Sequence, residues 1–123
     1  MCGIAGFYTP DANYMEEENK WKSILDHMNR VQKRRGPDGE GTFLSPRGGL
    51  AHVRLSIIDL VTGQQPMIKK EGNRECAIIF NGEIYNMNEL KKELMQEGAS
   101  FCTSSDTVVI LAGYMLHGKD YIK

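Results

Sequence analysis

Cys76-Ala77-Ile78-Ile79-Phe80-Asn81-Gly82-Glu83-Ile84-Tyr85-Asn86 sets the frame of this chain. The unbroken apolar run from Cys76 to Phe80, closed by Asn81-Gly82, predicts a buried strand ending in a tight turn. Asn86 with Glu89 three residues later has the spacing of a capping box. Leu90, Leu94 and Met95 then lay one apolar face along a helix that Gly98 closes. After a short extended piece at Phe101, Ser104 or Ser105 caps a last helix from Asp106 to about His117, with Gly118 ending it. Its Val108, Val109, Ile110, Leu111, Tyr114, Met115 and Leu116 leave little polar surface, so cover on most sides is expected. A strand over Val108 to Leu111 is the alternative.

Toward the N-terminus, Val61 to Gly72 reads as irregular. Thr42 to Leu44 and Leu50 to Ile58, parted by Ser45-Pro46-Arg47-Gly48-Gly49, predict antiparallel strands. Arg35-Gly36-Pro37-Asp38-Gly39-Glu40-Gly41 stops the helix before it and forces turns, and a loop so rich in glycine can approach a ligand closely. That helix spans Met15 to Gln32. Trp21, Ile24, Leu25, Met28 and Val31 recur at helical spacing, Glu16 to Glu18 suit its positive end, and Lys33 to Arg35 suit its negative end. Gly3 to Tyr8 predicts a first strand entered almost from the first residue. With no internal repeat and no linker, residues 1–123 make one α+β domain.

The chain has 123 residues, 41% hydrophobic and 25% charged, as a single soluble globular domain does. Fifteen Lys and Arg against sixteen Asp and Glu leave a formal charge of -1, too little field to capture nucleic acid or an anionic membrane. No apolar run approaches the roughly 18 residues of a membrane span. Cys2, Cys76 and Cys102 are an odd number without CxxC spacing, and the N-terminus lacks a secretory leader, so a reducing, cytoplasmic setting is expected. His27, His52, His117, Cys76 and Cys102 lack zinc-ligand spacing, so no metal site is expected. His52, Ser56 and Asp59 lie too close along one proposed strand to assemble a hydrolase triad. Gly36 to Gly41 follows a helix rather than a strand, which argues against a dinucleotide loop.

Cys2 becomes the first residue once Met1 is removed. One residue then carries both a thiol nucleophile and an α-amine of pKa about 7.7 to 8.0 that can serve as its base. In isolation such a cysteine is more often a small buried hydrophobe than a nucleophile.

Four segments resemble the class II glutamine amidotransferases, whose domains are N-terminal nucleophile hydrolases. They are Cys2-Gly3-Ile4, Arg35-Gly36-Pro37-Asp38, the run from His52 to Asp59 and Asn81-Gly82-Glu83-Ile84-Tyr85-Asn86. A fifth, Ser105-Asp106-Thr107, stands where the family has its second acidic substrate contact. The wording RLSIID, GQQPM and NGEIYN is most similar to the glutaminase domain of asparagine synthetase, a ligase. The resemblance implies an αββα sandwich of antiparallel sheets, incomplete here because the family's domain continues through further strands. It also implies hydrolysis of L-glutamine to glutamate and ammonia through a thioester on Cys2, with Asn81 and the Gly82 N–H as oxyanion hole. Arg54 would hold the substrate carboxylate, Glu83 and Asp106 its ammonium, and Arg35 and Asp38 would support the loop beside the nucleophile.

The family's usual Glu after Asp-Thr is Val108 here, a change expected to touch helix packing more than chemistry. No cofactor is implied for this chain. ATP and magnesium belong to the synthetase domain that follows in the family, and no GxxxxGK[ST] loop occurs between Met1 and Lys123. Strands left uncovered predict self-association. The alternative function is a non-catalytic amino-acid-binding or assembly module with the same fold, or a glutaminase domain serving another amide-forming acceptor.

Overall fold

The computed structural model describes residues 2–55, 63–101 and 105–122. Strands β1 (Gly3–Tyr8), β2 (Gly39–Ser45) and β3 (Gly48–Arg54) form an antiparallel sheet in the order β1-β3-β2. Gly3 pairs with Val53 on one side of β3, and Gly39 with Arg54 on the other. Because successive strand residues face opposite ways, Gly49, Ala51 and Val53 look toward one side of the sheet, and Leu50, His52 and Arg54 toward the other. The expected strand from Leu50 to Ile58 is met as far as Arg54, whereas Ser56 to Ile58 lie outside the described residues.

Helix α1 (Glu18–Gln32) covers the first face of the sheet. Leu25, Ala51 and Val53 are fully buried between them. A Cβ on Gly49 would stand 3.0 Å from a Leu25 methyl, so the absent side chain is what lets helix and sheet close up. Phe7, Tyr14 and Trp21 cluster at one end, Tyr14 edge-on to both other rings and Phe7 tilted against Trp21, with ring centroids 4.6 to 5.2 Å apart. The helix expected from Met15 starts later. Asn13 accepts a hydrogen bond from the Met15 N–H at 3.2 Å, which tightens Tyr14–Glu17 into a 3₁₀ turn before α1 begins at Glu18.

Strands β4 (Met67–Glu71) and β5 (Arg74–Ile78) form a two-stranded antiparallel hairpin turned at Gly72, where φ is +59°. This corrects the irregular reading of Val61 to Gly72. Lys69, Lys70 and Glu71 conceal the strand by composition, but pairing satisfies its backbone, and Lys70 reaches Glu75 directly opposite at 3.0 Å. It also shifts the predicted strand Cys76 to Phe80 two residues back. β4 begins opposite Ile78, and the Phe80 N–H donates to the Gln65 side chain instead of a neighbouring strand.

Helix α2 (Met87–Gln96) and helix α3 (Asp106–His117) enclose a second core of Leu94, Val108, Val109 and Ala112, against which Met67 of β4 and Phe101 pack. The capping box at α2 does not close. Asn86 sits at φ −100°, ψ 30°, outside the extended region from which a cap side chain reaches back, and it makes no cap bond. At α3 the cap is Ser105, extended at φ −68°, ψ 143°, whose hydroxyl accepts from the Thr107 N–H at 3.3 Å. Ser104 lies outside the described residues. Val108 to Leu111 are helical, which settles the alternative strand. Gly98 and Gly118 close the two helices at φ +97° and +71°.

The expected cover of α3 is met on the faces carrying Val108, Val109, Leu111, Ala112 and Met115, while Tyr114 and Leu116 are exposed. Ser105→Ala is expected to cost about 1 kcal/mol, read as a lowered urea midpoint with unchanged slope. The fold is α+β with antiparallel sheets.

Candidate functional site

The site is built at the Arg54 end of β3. Cys2 immediately precedes β1, so continuing the Gly3–Val53 register sets it beside Arg54. Its Sγ is 3.9 Å from the Leu55 carbonyl oxygen. Its own carbonyl oxygen accepts from Arg35 Nε at 3.4 Å and from Asn81 Nδ2 at 3.1 Å. Segments 33 and 79 residues away in sequence thus meet at Cys2.

The glycine-rich loop reaches this point by lying against β3. A Cβ on Gly36 would fall 2.4 Å from the Arg54 nitrogen, so only glycine fits there. Pro37 bridges to Arg54, and the Asp38 N–H donates to the Arg54 carbonyl at 2.9 Å. Arg35 and Asp38 therefore flank a docked turn, with Arg35 directed to Cys2 and the Asp38 backbone tied to Arg54.

Asn81 to Ile84 leave β5 as an exposed turn anchored from below. Asp106 Oδ2 at the start of α3 accepts from the Ile84 N–H at 3.0 Å. Gln65 Oε1 accepts from the Phe80 N–H, and Gln65 Nε2 donates to Thr107 Oγ1 at 3.2 Å. Gly82 and Glu83 are exposed on the crest of the turn. Of the sequence-predicted residues, the structure brings Cys2, Arg35 and Asn81 into contact, sets Arg54 alongside through strand pairing, and joins Asp106 to the turn that carries Gly82 and Glu83.

A cavity of about 270 Å³ opens on the β2 side of Arg54, walled by Asp38, Glu40, His52, Arg54, Gln64 and Gln65. Cys2 and the Asn81 turn are not among its walls. The backbone of Gln65 lies directly over Gly41, where a Cβ would stand 2.3 Å from the Gln65 oxygen. His52 is 1% exposed, and neither ring nitrogen has a hydrogen-bond partner among the described residues. Burial first, and then the charge of Arg54, hold its pKa below the ordinary 6.5.

That shift has a signed consequence for stability. The unfolded chain takes up a proton on His52 below about pH 6.5, whereas the folded chain does so only at lower pH, so acid favours unfolding. The stability contributed by neutral His52 is complete above pH 6.5 and falls as the pH drops below it. Urea midpoints measured at pH 7.5 and 5.5 should differ less for His52→Gln than for the wild type. An equal drop in both would contradict the assignment.

Sequence reading passed over two residues here. Gln65 lay in the stretch taken as irregular, although GQQPM was one of the phrases carrying the family likeness. His52 was set aside as a zinc ligand and triad member in favour of a core or surface role, and the structure makes it a core residue. Ser56, Asp59 and Cys102 lie outside the described residues, while Cys76 is a free, half-buried thiol on β5. Among the described residues no group of three or more His, Cys, Asp or Glu is placed to hold a metal ion. No helix there is long and apolar enough to cross a membrane.

A family model described as a glutamine amidotransferase domain matches residues 1–123. The chain belongs to the glutamine amidotransferase domain family. This amidotransferase chain is 41% identical over 116 residues to asparagine synthetase (glutamine-hydrolyzing) 1 of Bacillus subtilis, covering 93% of the chain and 17% of that protein. It is 36% identical over 122 residues to asparagine synthetase B (glutamine-hydrolyzing) of Escherichia coli, covering 99% of the chain and 21% of that protein. A putative asparagine synthetase (glutamine-hydrolyzing) 2 of Methanocaldococcus jannaschii is 38% identical over 140 residues, covering 100% of the chain and 25% of that protein. The chain thus spans about a fifth of the length of these relatives. The antiparallel α+β architecture fits a part of such an amidotransferase domain.

Proposed function

We propose that residues 1–123 are the first part of a class II glutaminase domain, which hydrolyses L-glutamine to glutamate and ammonia. What chiefly supports this reading is the Asn81 side-chain amide held 3.1 Å from the carbonyl of Cys2, which draws the Asn-Gly turn onto the candidate nucleophile. Removal of Met1 frees the Cys2 amine. The Cys2 sulfur attacks the side-chain amide carbon of glutamine, and the thiol proton passes through the amine, directly or by a water, to the departing nitrogen. Ammonia leaves, and water then cleaves the thioester to glutamate and restores the thiol.

Asn81 Nδ2 carries two hydrogens, so one can hold the Cys2 carbonyl while the other meets the developing oxyanion together with the Gly82 N–H. Arg54 clamps the α-carboxylate, and Glu83 and Asp106 hold the ammonium. A carboxylate accepts at both oxygens, so the Asp106 bond to Ile84 and an ammonium contact are compatible. The relatives carry asparagine synthetase names, and on this reading the ammonia serves an ATP-dependent synthetase domain of the same protein.

A diazo-ketone analogue of glutamine should alkylate Cys2 and leave Cys76 and Cys102 unmodified, as read by peptide mass spectrometry. Labelling that survives Cys2→Ala would sink the assignment. The same spectra report whether Met1 has been removed, and full retention of Met1 would favour a non-catalytic module.

Arg54→Lys replaces a planar two-pronged donor by a point charge. Glutamine affinity should fall by about one to two decades, corresponding to roughly 1.5 to 3 kcal/mol for a charged hydrogen bond. Unchanged affinity in a folded variant would remove Arg54 from the site.

A further inference from the structure

Both ends of the Asn81-Gly82 turn are tied to the same place, the first turn of α3. At the downstream end the tie is direct, from the Ile84 N–H to Asp106 Oδ2 at 3.0 Å. At the upstream end it runs through one intermediary. The Phe80 N–H donates to Gln65 Oε1, and Gln65 Nε2 donates to Thr107 Oγ1 at 3.2 Å. The orientation of the Gln65 amide follows from this pairing, because a backbone N–H can only donate and must face the oxygen. The amide NH₂ is then left for the Thr107 hydroxyl. Thr107 is 2% exposed and Gln65 half-buried, so water competes weakly for this chain of bonds.

The Gln65 backbone in turn packs closely on β2, its carbonyl lying over Gly41 without room for a side chain there. Gln65 therefore links three bodies: the sheet that carries Cys2 and Arg54, the turn that carries Asn81 and Gly82, and helix α3.

We propose that Gln65 is a positioning residue that, braced by Thr107, sets the Asn81-Gly82 turn at its working distance from Cys2. The proposal rests on the amidotransferase reading. Leaving Phe80 without an acceptor frees the residue immediately before Asn81, and a displacement of about 1 Å in catalytic groups can cost up to 10²-fold in rate. Gln65 touches neither substrate nor the thiol on this account. Its loss should slow the step that needs the oxyanion donors and spare the intrinsic reactivity of Cys2.

The test compares Gln65→Leu, Thr107→Val and Thr107→Ser with the wild type in the full chain. Two labelling rates at Cys2 are read, one with the diazo-ketone glutamine analogue and one with iodoacetamide, which needs no oxyanion hole. Hydrogen exchange at the Phe80 and Gly82 amides is read alongside. Gln65→Leu and Thr107→Val should lower the analogue rate roughly tenfold relative to the iodoacetamide rate and speed exchange at both amides. Thr107→Ser should restore both towards wild type, because it keeps the hydroxyl. Thr107→Val keeps the shape of threonine, so it remains informative if Gln65→Leu fails to fold. Equal labelling ratios and equal exchange in Thr107→Val and Thr107→Ser would overturn the proposal. If the wild type reacts with iodoacetamide and never with the analogue, the amidotransferase reading fails, and the exchange comparison still decides whether Gln65 holds the turn.

Discussion

Asn81→Ala is expected to lower the rate of glutamine hydrolysis by about 10²- to 10³-fold at saturating glutamine, the usual cost of removing one oxyanion-hole donor. The turn itself should persist in the variant, because its ends are held by Gln65 and Asp106 through the backbone of Phe80 and Ile84. Asn81 is exposed, and its bond to the Cys2 carbonyl adds little to stability there, so the urea midpoint should barely move. Asn81→Asp should cost at least as much. The carboxylate keeps the size of the side chain, offers no N–H and repels negative charge, so its rate should be no higher than that of Asn81→Ala. Glutamine affinity should change far less than for Arg54→Lys, since in its proposed role Asn81 would act on charge that appears only in the transition state. A loss under tenfold in a folded Asn81→Ala protein would take Asn81 out of the oxyanion hole and leave the Gly82 N–H as the candidate donor among the described residues.

The elements most legible in the sequence were those whose signals are local. The first strand was read with its observed ends, Gly3 and Tyr8, because an apolar run is bounded there by Pro10. The last helix was read from Asp106 to His117 because a serine cap and a closing glycine bracket it. Elements that depend on a partner were harder to read. Met67–Glu71 looks like solvated loop until Arg74–Ile78 pairs with it, and Asn86 has the capping-box spacing but not the backbone angles that would use it.

The site divides in the same way. Cys2, Arg54, Asn81 and Asp106 came from motif wording, which lists residue types along the chain. The Gln65 brace joins positions 15 and 42 residues apart, and no spacing rule within a single element could have indicated it. The burial of His52 was equally hidden, since a histidine in an alternating strand can face either side until the neighbouring strands are placed.

Leu25→Ala carries the largest stability cost expected here, about 2.7 to 5 kcal/mol, the range for emptying a well-packed leucine site. Leu25 is wholly buried in the middle of α1, and its methyls fill the space that Gly49 leaves on β3. The sheet beneath cannot collapse into the gap without breaking the pairing of β3 to both neighbours, so relaxation should recover little. Against a total of about 5 to 15 kcal/mol, such a loss brings the variant close to unfolding at ambient temperature. Its effect on chemistry should differ in kind from that of Asn81→Ala. Leu25 lies on the α1 face of the sheet, whereas Arg54 and His52 look the other way, so the molecules that remain folded should keep an intact site. Labelling of Cys2 by the glutamine analogue should then fall only in proportion to the folded fraction measured by circular dichroism, and glutamine itself should raise the melting temperature by mass action. A labelling rate per folded molecule reduced more than about threefold would mean that the packing of α1 reaches through β3 to the site.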